Sequence, residues 1–226
     1  MSAAVSFSVG AGYAVYRGPS GDGRLHSHAA FQIAVAVRGE VAMLDAEGAE
    51  HRAGVLLVPP MVRHRLLPAS ALRTMYVEPH SALADLLRRR CAGRLVAAPE
   101  LRDLGEAELD RGFSAALDPR LLAALAILRE RPVAMPALAA EVGLSAPRLR
   151  ALAHAQLGMP LTRWRAWSGL HRAAEALRAG ESLAGAAATA GFADQAHLTR
   201  RMREMIGLTP AAVLPVLRGD RQMTVP

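Results

Sequence analysis

The sequence predicts a two-domain α+β protein, with an antiparallel β-barrel in the first part of the chain followed by an all-α domain. Three observations support this fold class. Short hydrophobic runs separated by turn residues fill residues 1–79, which is typical of a small barrel or sandwich. After Pro79 the hydrophobic residues recur at helical spacing instead. The helical part also contains the same helix-turn-helix pattern twice, with one long helix between the two copies.

The composition is that of a globular protein that buries a core. Of its 226 residues, 52% are hydrophobic and 4% are aromatic, so leucine, alanine and valine must do most of the packing. Cys91 is the single cysteine, which excludes an internal disulfide and is typical of a reducing compartment. No segment has the pattern of a membrane span or a signal peptide. We therefore expect a soluble cytoplasmic protein.

The strands of the predicted barrel are short and end at turn residues. Arg38-Gly39, the stretch 45–48 and Pro59-Pro60 separate the hydrophobic runs, as glycine and proline do in turns. We expect strands at 32–37, 40–44, 54–58, 64–67 and 72–77. The predicted barrel domain covers residues 1–79.

A linker is predicted between the two domains, at residues 80–117. Leu83, Leu86 and Leu87 lie at helical spacing within a predicted helix at 81–91. This helix is either a dimerisation helix or an element that packs on its own barrel. The sequence favours neither interpretation over the other.

The all-α domain is predicted to cover residues 118–218, with a short tail at 219–226. Asp118 fits the N-cap of its first helix, and Pro119 fits the first helical position. Arg131-Pro132 ends that helix, because proline cannot continue it.

Two copies of a helix-turn-helix signature follow, 48 residues apart. A small residue stands four positions before a glycine in each: Ala139 and Gly143 in the first, Ala187 and Gly191 in the second. The small residue permits close helix approach, and the glycine adopts a positive φ at the turn. The predicted helix pairs are 136–142 with 146–157 and 183–190 with 194–206, and the helix between them spans 161–178.

Positive charge concentrates in this helical part. Residues 1–130 contain 15 arginines and 14 acidic residues, a balance of +1. Residues 131–226 contain 12 arginines and 6 acidic residues, a balance of +6. A concentrated positive field suits a polyanionic partner. A solvated arginine-rich surface explains the charge equally well, so the interpretation depends on the repeated motif.

Residues 118–217 resemble the DNA-binding region of AraC/XylS-type transcription regulators. The run GFADQAHLTRRMREMIGLTP, at 191–210, carries the most specific part of the resemblance. The resemblance implies two helix-turn-helix units that enter successive major grooves of double-stranded promoter DNA, one helical turn apart. It implies a regulator and not an enzyme, with RNA polymerase and a second copy of the chain, in a homodimer, among the expected partners.

The exposed side of the second helix in each unit supplies the candidate DNA contacts. Arginine pairs with guanine and glutamine with adenine, whereas further arginines hold phosphates. The side chains predicted to face inward are Leu149, Leu152, Leu157, Leu198, Met202 and Met205. By the resemblance, base-reading positions fall on Pro147, Arg150, Ala151, Gln195, Ala196, His197 and Arg200. The predicted DNA-binding set is Arg148, Arg150, His154, Gln195, His197, Arg200, Arg201 and Arg203.

The β-region carries a second candidate site, built from histidines. His26 and His28 alternate in an extended segment and therefore share a face with Gln32, while His64 comes from a neighbouring strand. Three neutral imidazoles and an oxygen donor suit a divalent transition metal such as Zn, Ni, Cu, Mn or Fe. The same side chains equally suit the polar lining of an organic-effector pocket.

These residues resemble the two motifs of the cupin barrel. The first motif reads His26-x-His28-x3-Gln32-x6-Gly39, and the second reads Gly54-x4-Pro59-x-Met61-x2-His64. Gln32 stands where catalytic cupins usually carry glutamate, and Met61 replaces the turn glycine. The resemblance implies a cupin-like sensor domain in front of the DNA-binding region.

Together these patterns predict a sequence-specific DNA-binding transcription regulator controlled by a small-molecule or metal effector bound in the N-terminal barrel. The alternative is a metal-dependent cupin enzyme, such as a dioxygenase or an isomerase. That alternative explains the histidines but neither the repeated motif nor the charge.

Overall fold

The structure is a computed structural model, and it describes residues 5–217. The predicted tail at 219–226 lies outside the described residues. Two compact units divide the chain. One contains the residues up to Ser114 together with those from Arg203 onward, and the other contains Ala115–Met202.

The first unit is built from short antiparallel strands, as the sequence predicts. The strands are β1 Ser6–Gly10, β2 Tyr13–Ser20, β3 Phe31–Ala36, β4 Val41–Asp45, β5 Glu50–Ala53, β6 Val55–Val58, β7 His64–Leu66, β8 Ala69–Val77 and β9 Val96–Ala97. They form a six-stranded sheet in the order β1-β2-β8-β3-β6-β9 and a three-stranded sheet in the order β5-β4-β7. The five predicted strands are present. The sequence did not predict the four strands β1, β2, β5 and β9.

Both faces of the six-stranded sheet are buried at strand β3. Strand β3 is buried at every position, which explains why its residues other than Gln32 are all hydrophobic and do not alternate with polar ones. Ile33 and Val35 belong to one apolar cluster. Ala34 and Ala36 belong to another, which includes Val41 and other residues of β4. The second cluster therefore lies between the two sheets.

Helix α1, Ala82–Cys91, lies where the linker helix is predicted. Its buried residues Leu83, Ala84, Leu87 and Cys91 belong to the same apolar cluster as Ile33. The helix therefore packs on its own sheet. Ser81 caps it, accepting a hydrogen bond from the Ala84 N–H. A 3₁₀ turn at Pro99–Leu101 and the short helix α2, Glu106–Leu109, follow.

The helical part closely matches its predicted elements. The helices are α3 Pro119–Glu130, α4 Met135–Glu141, α5 Ala146–Leu157, α6 Leu161–Arg178, α7 Leu183–Thr189, α8 Gln195–Ile206 and α9 Pro210–Leu217. Helices α5 and α6 begin and end at the predicted residues. Asp118 is the predicted N-cap of α3 and accepts a hydrogen bond from the Arg120 N–H.

Helix α6 is the central packing element of the second unit and contacts α3, α5 and α7. Trp164 and Trp167 are 0% and 4% exposed, so both tryptophans serve the core and neither offers a surface to a ligand. Among the described helices, none combines the length and the hydropathy that a membrane-spanning segment needs.

Candidate functional site

The histidines of the β-region meet because backbone hydrogen bonds join their segments. The His26 N–H donates to the carbonyl of His64, and the His64 N–H donates to the carbonyl of His26, both at 2.9 Å. The Met61 N–H donates to the carbonyl of His28 at 2.9 Å. Met61 has a φ of +67°, so it adopts the left-handed turn conformation that glycine favours at this place in the cupin motif.

His26, His28 and His64 form one buried cluster, which is the arrangement the sequence predicts. One ring nitrogen from each lies within 4.8 Å of the others, and the ring centroids are 4.6–4.7 Å apart. The residues are 6%, 1% and 0% exposed. Three imidazoles this close, shielded from water, could supply the ligands of a metal ion.

Two of these rings are oriented by backbone carbonyls. His26 Nδ1 lies 2.6 Å from the carbonyl oxygen of Arg24, and His64 Nδ1 lies 3.0 Å from that of Val62. A carbonyl oxygen only accepts, so a proton on Nδ1 satisfies each of these contacts. This second hydrogen bond is the support that ligating histidines usually have.

Burial keeps His64 neutral. It lowers the pKa of His64 to about 4, with a smaller contribution from the charge of His26. Gln32, 1% exposed, places its side-chain amide 2.8 Å from His64 Nε2. The atom nearest to Nε2 is Gln32 Oε1, and a neutral His64 ring donates its single proton either to this oxygen or to the carbonyl of Val62. Gln32 therefore occupies the position from which a glutamate would complete a ligand set.

Tyr76 is a member of this site that the sequence analysis missed. Its ring centroid lies 5.1 Å from that of His28, and it is the direct cross-strand partner of Gln32. Burial raises the pKa of Tyr76, so its hydroxyl stays protonated at neutral pH. The register of β8 against β3 was the missing signal, since neither strand reveals it alone.

The first helix-turn-helix unit consists of α4 and α5. Gly143 has a φ of +66° in the turn, and the Ser145 hydroxyl caps α5 by accepting from the Arg148 N–H at 3.3 Å. The buried side of α5 is formed by Leu149, Ala153 and Leu157. Leu152, predicted to face inward, is only half-buried, because the spacing of four places Ala153 on the inner line. The predicted contacts Arg148, Arg150 and His154 are exposed.

The second helix-turn-helix unit consists of α7 and α8. Leu198, Met202 and Met205 are buried, as predicted. Gln195, Ala196, Arg200 and Arg203 are exposed, whereas His197 and Arg201 are half-buried.

His197 is held by its own turn. Its ring packs edge-on against Phe192, with the centroids 5.3 Å apart, and its Nδ1 accepts from the Ala193 N–H at 3.3 Å. Arg201 Nε lies 3.4 Å from His197 Nε2. These contacts give His197 a role in shaping the start of α8.

Arg172 on α6 is a buried charge that the sequence analysis did not single out. It is 8% exposed, and its guanidinium donates to the carbonyl of Leu128, in the last turn of α3, and to that of Ala190, which caps α7. Helix C-termini carry unpaired carbonyls and partial negative charge. Arg172 therefore ties α3 and α7 to α6.

Comparisons with known proteins agree with this geometry. Residues 138–214, which include α5 and α8, match the family model described as a helix-turn-helix domain. ToxT from Vibrio cholerae has a TM-score of 0.58 at 10% identity, over 91% of this chain and 99% of that chain. ToxT from Vibrio cholerae strain SCE256, solved with an unsaturated fatty acid bound, has a TM-score of 0.59 at 12% identity, over 94% and 98%.

A transcriptional regulator from Chromobacterium violaceum, described as AraC-type, is 23% identical over 47% of this chain and 96% of that chain, with a TM-score of 0.40. Among curated protein sequences, none matches this chain. The fold similarity thus extends over nearly the whole chain, and the family match lies on the paired motifs. Residues 138–214 are a helix-turn-helix domain, and the chain is a DNA-binding transcription regulator whose fold is similar to that of ToxT.

Proposed function

We propose that α5 and α8 read promoter DNA and that the histidine cluster binds the effector that controls this activity. The observation that carries the first part is the exposure of arginine on both second helices, at Arg150 and Arg200, while the opposite side of each helix is buried. A helix that buries one side and exposes arginine on the other fits a major groove.

Individual roles follow from side-chain chemistry. Arg150 and Arg200 are the proposed readers of guanine, and Gln195 is the proposed reader of adenine. The other arginines of α5 and α8 hold phosphates, which fixes the register of the protein without reading the sequence. The proposed phosphate contacts are Arg148, Arg201 and Arg203, with His154 and His197 at the edge of the surface.

In the β-region, we propose that His26, His28 and His64 hold a divalent transition metal, with Gln32 as a fourth, neutral donor. Support comes from the backbone carbonyls that orient the His26 and His64 rings and from the burial of all three rings. Bound metal would supply positive charge at this cluster. A small organic effector is the other occupant that fits this polar lining; ToxT, which has a similar fold, was solved with an unsaturated fatty acid bound.

Effector binding would act by population shift. An effector that binds one conformation of the protein more tightly than the other raises the population of that conformation, and the affinity for DNA changes accordingly. The regulator would work in the cytoplasm, where promoter DNA lies, together with RNA polymerase and as a homodimer.

The test is fluorescence anisotropy of a labelled duplex from the chain's own upstream region, titrated with the full chain. Log affinity should fall linearly with log salt, because bound phosphates release counterions. Zn²⁺ or Ni²⁺ should change the affinity of the wild type. The double variant His26→Ala/His28→Ala should lose this response, whereas His51→Ala, a change on the neighbouring sheet, should keep it.

Gln32→Glu sharpens the metal part. A carboxylate beside His64 Nε2 adds a charged ligand, so calorimetry should show tighter metal binding than in the wild type. An absence of heat with Zn, Ni, Cu, Mn and Fe(II) would exclude the metal and leave the organic effector. Salt-insensitive or absent DNA binding would contradict the DNA-reading proposal, whatever the metal result.

The second candidate function, a metal-dependent cupin enzyme, is favoured by the histidine cluster alone. It predicts substrate turnover by the metal-loaded protein and no metal effect on DNA affinity.

A further inference from the structure

We propose a second ligand site in the β-region, for an organic carboxylate with a short apolar body, in a cleft lined by Arg17, Arg73 and Arg102. The cleft has a volume of about 470 Å³, which lies in the range of small-molecule sites. This site goes beyond the proposed function, and nothing in it involves the histidines.

The cleft lies on the opposite face of the six-stranded sheet from the histidine cluster. Arg73 pairs directly with Val35, so the two side chains share a face. Gln32, which contacts His64, is three positions from Val35 on the same strand and therefore points to the other face. A ligand in the cleft is separated from the histidines by the sheet itself.

Two arginines face each other across neighbouring strands in this cleft. Arg17 on β2 is the direct antiparallel partner of Arg73 on β8. Like charges at directly opposite positions destabilise a sheet, so this pair lowers the stability of the folded chain. Burial lowers the pKa of Arg73, and the charges of Arg17 and Arg102 lower it further, as expected where guanidinium groups converge.

Arg102 is fixed in place as the third cation. Its Nη1 donates to the carbonyl of Ala36 at 3.2 Å, and its own carbonyl accepts from Arg73. A β-carbon at Gly54 would lie 2.3 Å from Arg102 Nη2. Glycine at this position therefore makes the room that the guanidinium occupies.

Acidic neighbours do not balance the three cations. Glu106 accepts from both Nη atoms of Arg17 at 3.3 Å, and Asp103 lines the cleft. The Arg17–Glu106 pair is 44% and 43% exposed, so solvent screens it and it contributes little. Three guanidiniums and two carboxylates leave one positive charge for a ligand to neutralise.

The remaining lining is apolar and decides the class of anion. Val35, Val37 and Ala71 contribute to the cleft beside the arginines, and Val37 is 55% exposed. Guanidinium groups pair bidentately with carboxylate. An apolar floor next to that fork favours a carboxylate with a hydrocarbon body over inorganic phosphate.

The test is isothermal titration calorimetry of the full chain with benzoate and hexanoate, with benzamide as the neutral analogue and inorganic phosphate as the anion without a hydrocarbon body. Both carboxylates should bind at millimolar concentration, whereas benzamide and phosphate should not. Arg73→Met should weaken carboxylate binding by roughly tenfold or more. Arg94→Met, an exposed arginine of the same unit outside the cleft, should bind like the wild type.

A second measurement keeps the test decisive if Arg73→Met fails to fold. Benzoate should raise the thermal unfolding temperature of the wild type, because it binds only the folded chain, while benzamide should leave it unchanged. The variant His26→Ala/His28→Ala should retain carboxylate binding. The proposal is overturned by carboxylates that give no heat and no thermal shift, by benzamide or phosphate binding equally well, or by loss of binding in the histidine variant.

Discussion

Arg172 Nη2 donates a hydrogen bond of 2.8 Å to the carbonyl oxygen of Ala190, the residue that caps α7. The same guanidinium also donates to Leu128, in the last turn of α3. One buried cation thereby satisfies carbonyls at the ends of two helices, one of them part of the second helix-turn-helix unit. Burial lowers the pKa of this guanidinium, and the charges of Arg165 and Arg129 lower it further. The two carbonyls compensate the buried charge.

We expect Arg172→Met to loosen the second helix-turn-helix unit on α6. A duplex with two half-sites one helical turn apart should bind the variant more weakly, because the second unit is no longer held in register. The measurement is affinity against duplexes with 0, about 5 and about 10 base pairs inserted between half-sites. The wild type should discriminate among them and the variant should discriminate less, whereas Arg178→Met, at the exposed end of α6, should behave like the wild type. Unchanged spacing discrimination in Arg172→Met would refute the role assigned to this residue.

Arg150→Ala and Arg203→Ala should have different effects on DNA binding. Arg150 is exposed near the start of α5, where a bidentate contact to guanine is worth about 1–3 kcal/mol, so its loss should relax preference at one base pair. Arg203 lies in the last turn of α8, and its loss should weaken all sequences alike and lower the salt slope by about one. Binding to a library of operator variants at several salt concentrations measures both effects. Equal, sequence-independent losses would show that Arg150 is not a reader.

The two turn glycines should respond differently to alanine. Gly143 and Gly191 have φ values of +66° and +81°, so alanine at either costs about 1 kcal/mol of folding free energy. A β-carbon at Gly191 would also lie 2.7 Å from Cβ of Pro132, whereas nothing lies within 4 Å at Gly143. Denaturant unfolding should therefore show a clearly larger loss for Gly191→Ala. Equal losses would mean that Pro132 moves aside freely.

The metal-free protein should lose stability as the pH falls from about 6.5 to about 4. In that window an unfolded His64 binds a proton and the folded one does not, because its folded pKa is about 4. The unfolded state therefore binds more protons, and the free energy of unfolding falls with pH by about 3 kcal/mol in total. His64→Gln should flatten this part of the stability profile, and His51→Gln should not. A profile of unchanged slope in His64→Gln would contradict the assignment.

Local signals predicted the helical part well. Helices α5 and α6 have their predicted bounds, since proline, glycine and a serine cap mark the ends and leucine marks the buried side. Gly143 and Gly191 have the positive φ that the repeat requires. The histidine cluster was also predictable, because His26 and His28 alternate in one segment and His64 follows a proline turn.

Long-range pairing was harder to predict. Strands β1 and β2 mix polar and hydrophobic residues and contain glycine, so neither has a hydrophobic run that would predict a strand. The register of β8 with its two neighbours places Tyr76 beside Gln32 and Arg73 beside Arg17, and the sequence alone does not reveal that register. In the sequence, Arg172 is one more arginine on an amphipathic helix. Its role depends on carbonyls of α3 and α7, which the sequence does not place near it.

The most direct test of the account is DNase I footprinting of the full chain on the DNA upstream of its own gene. We expect two protected segments on one face of the duplex, with centres about one helical turn apart, which weaken together as the salt concentration rises. Protection should be lost in the double variant Arg150→Ala/Arg200→Ala, since each change removes a proposed reader from one unit. Absence of protection at low salt, or protection that survives loss of both arginines, would contradict the assignment of α5 and α8 as the DNA-reading helices.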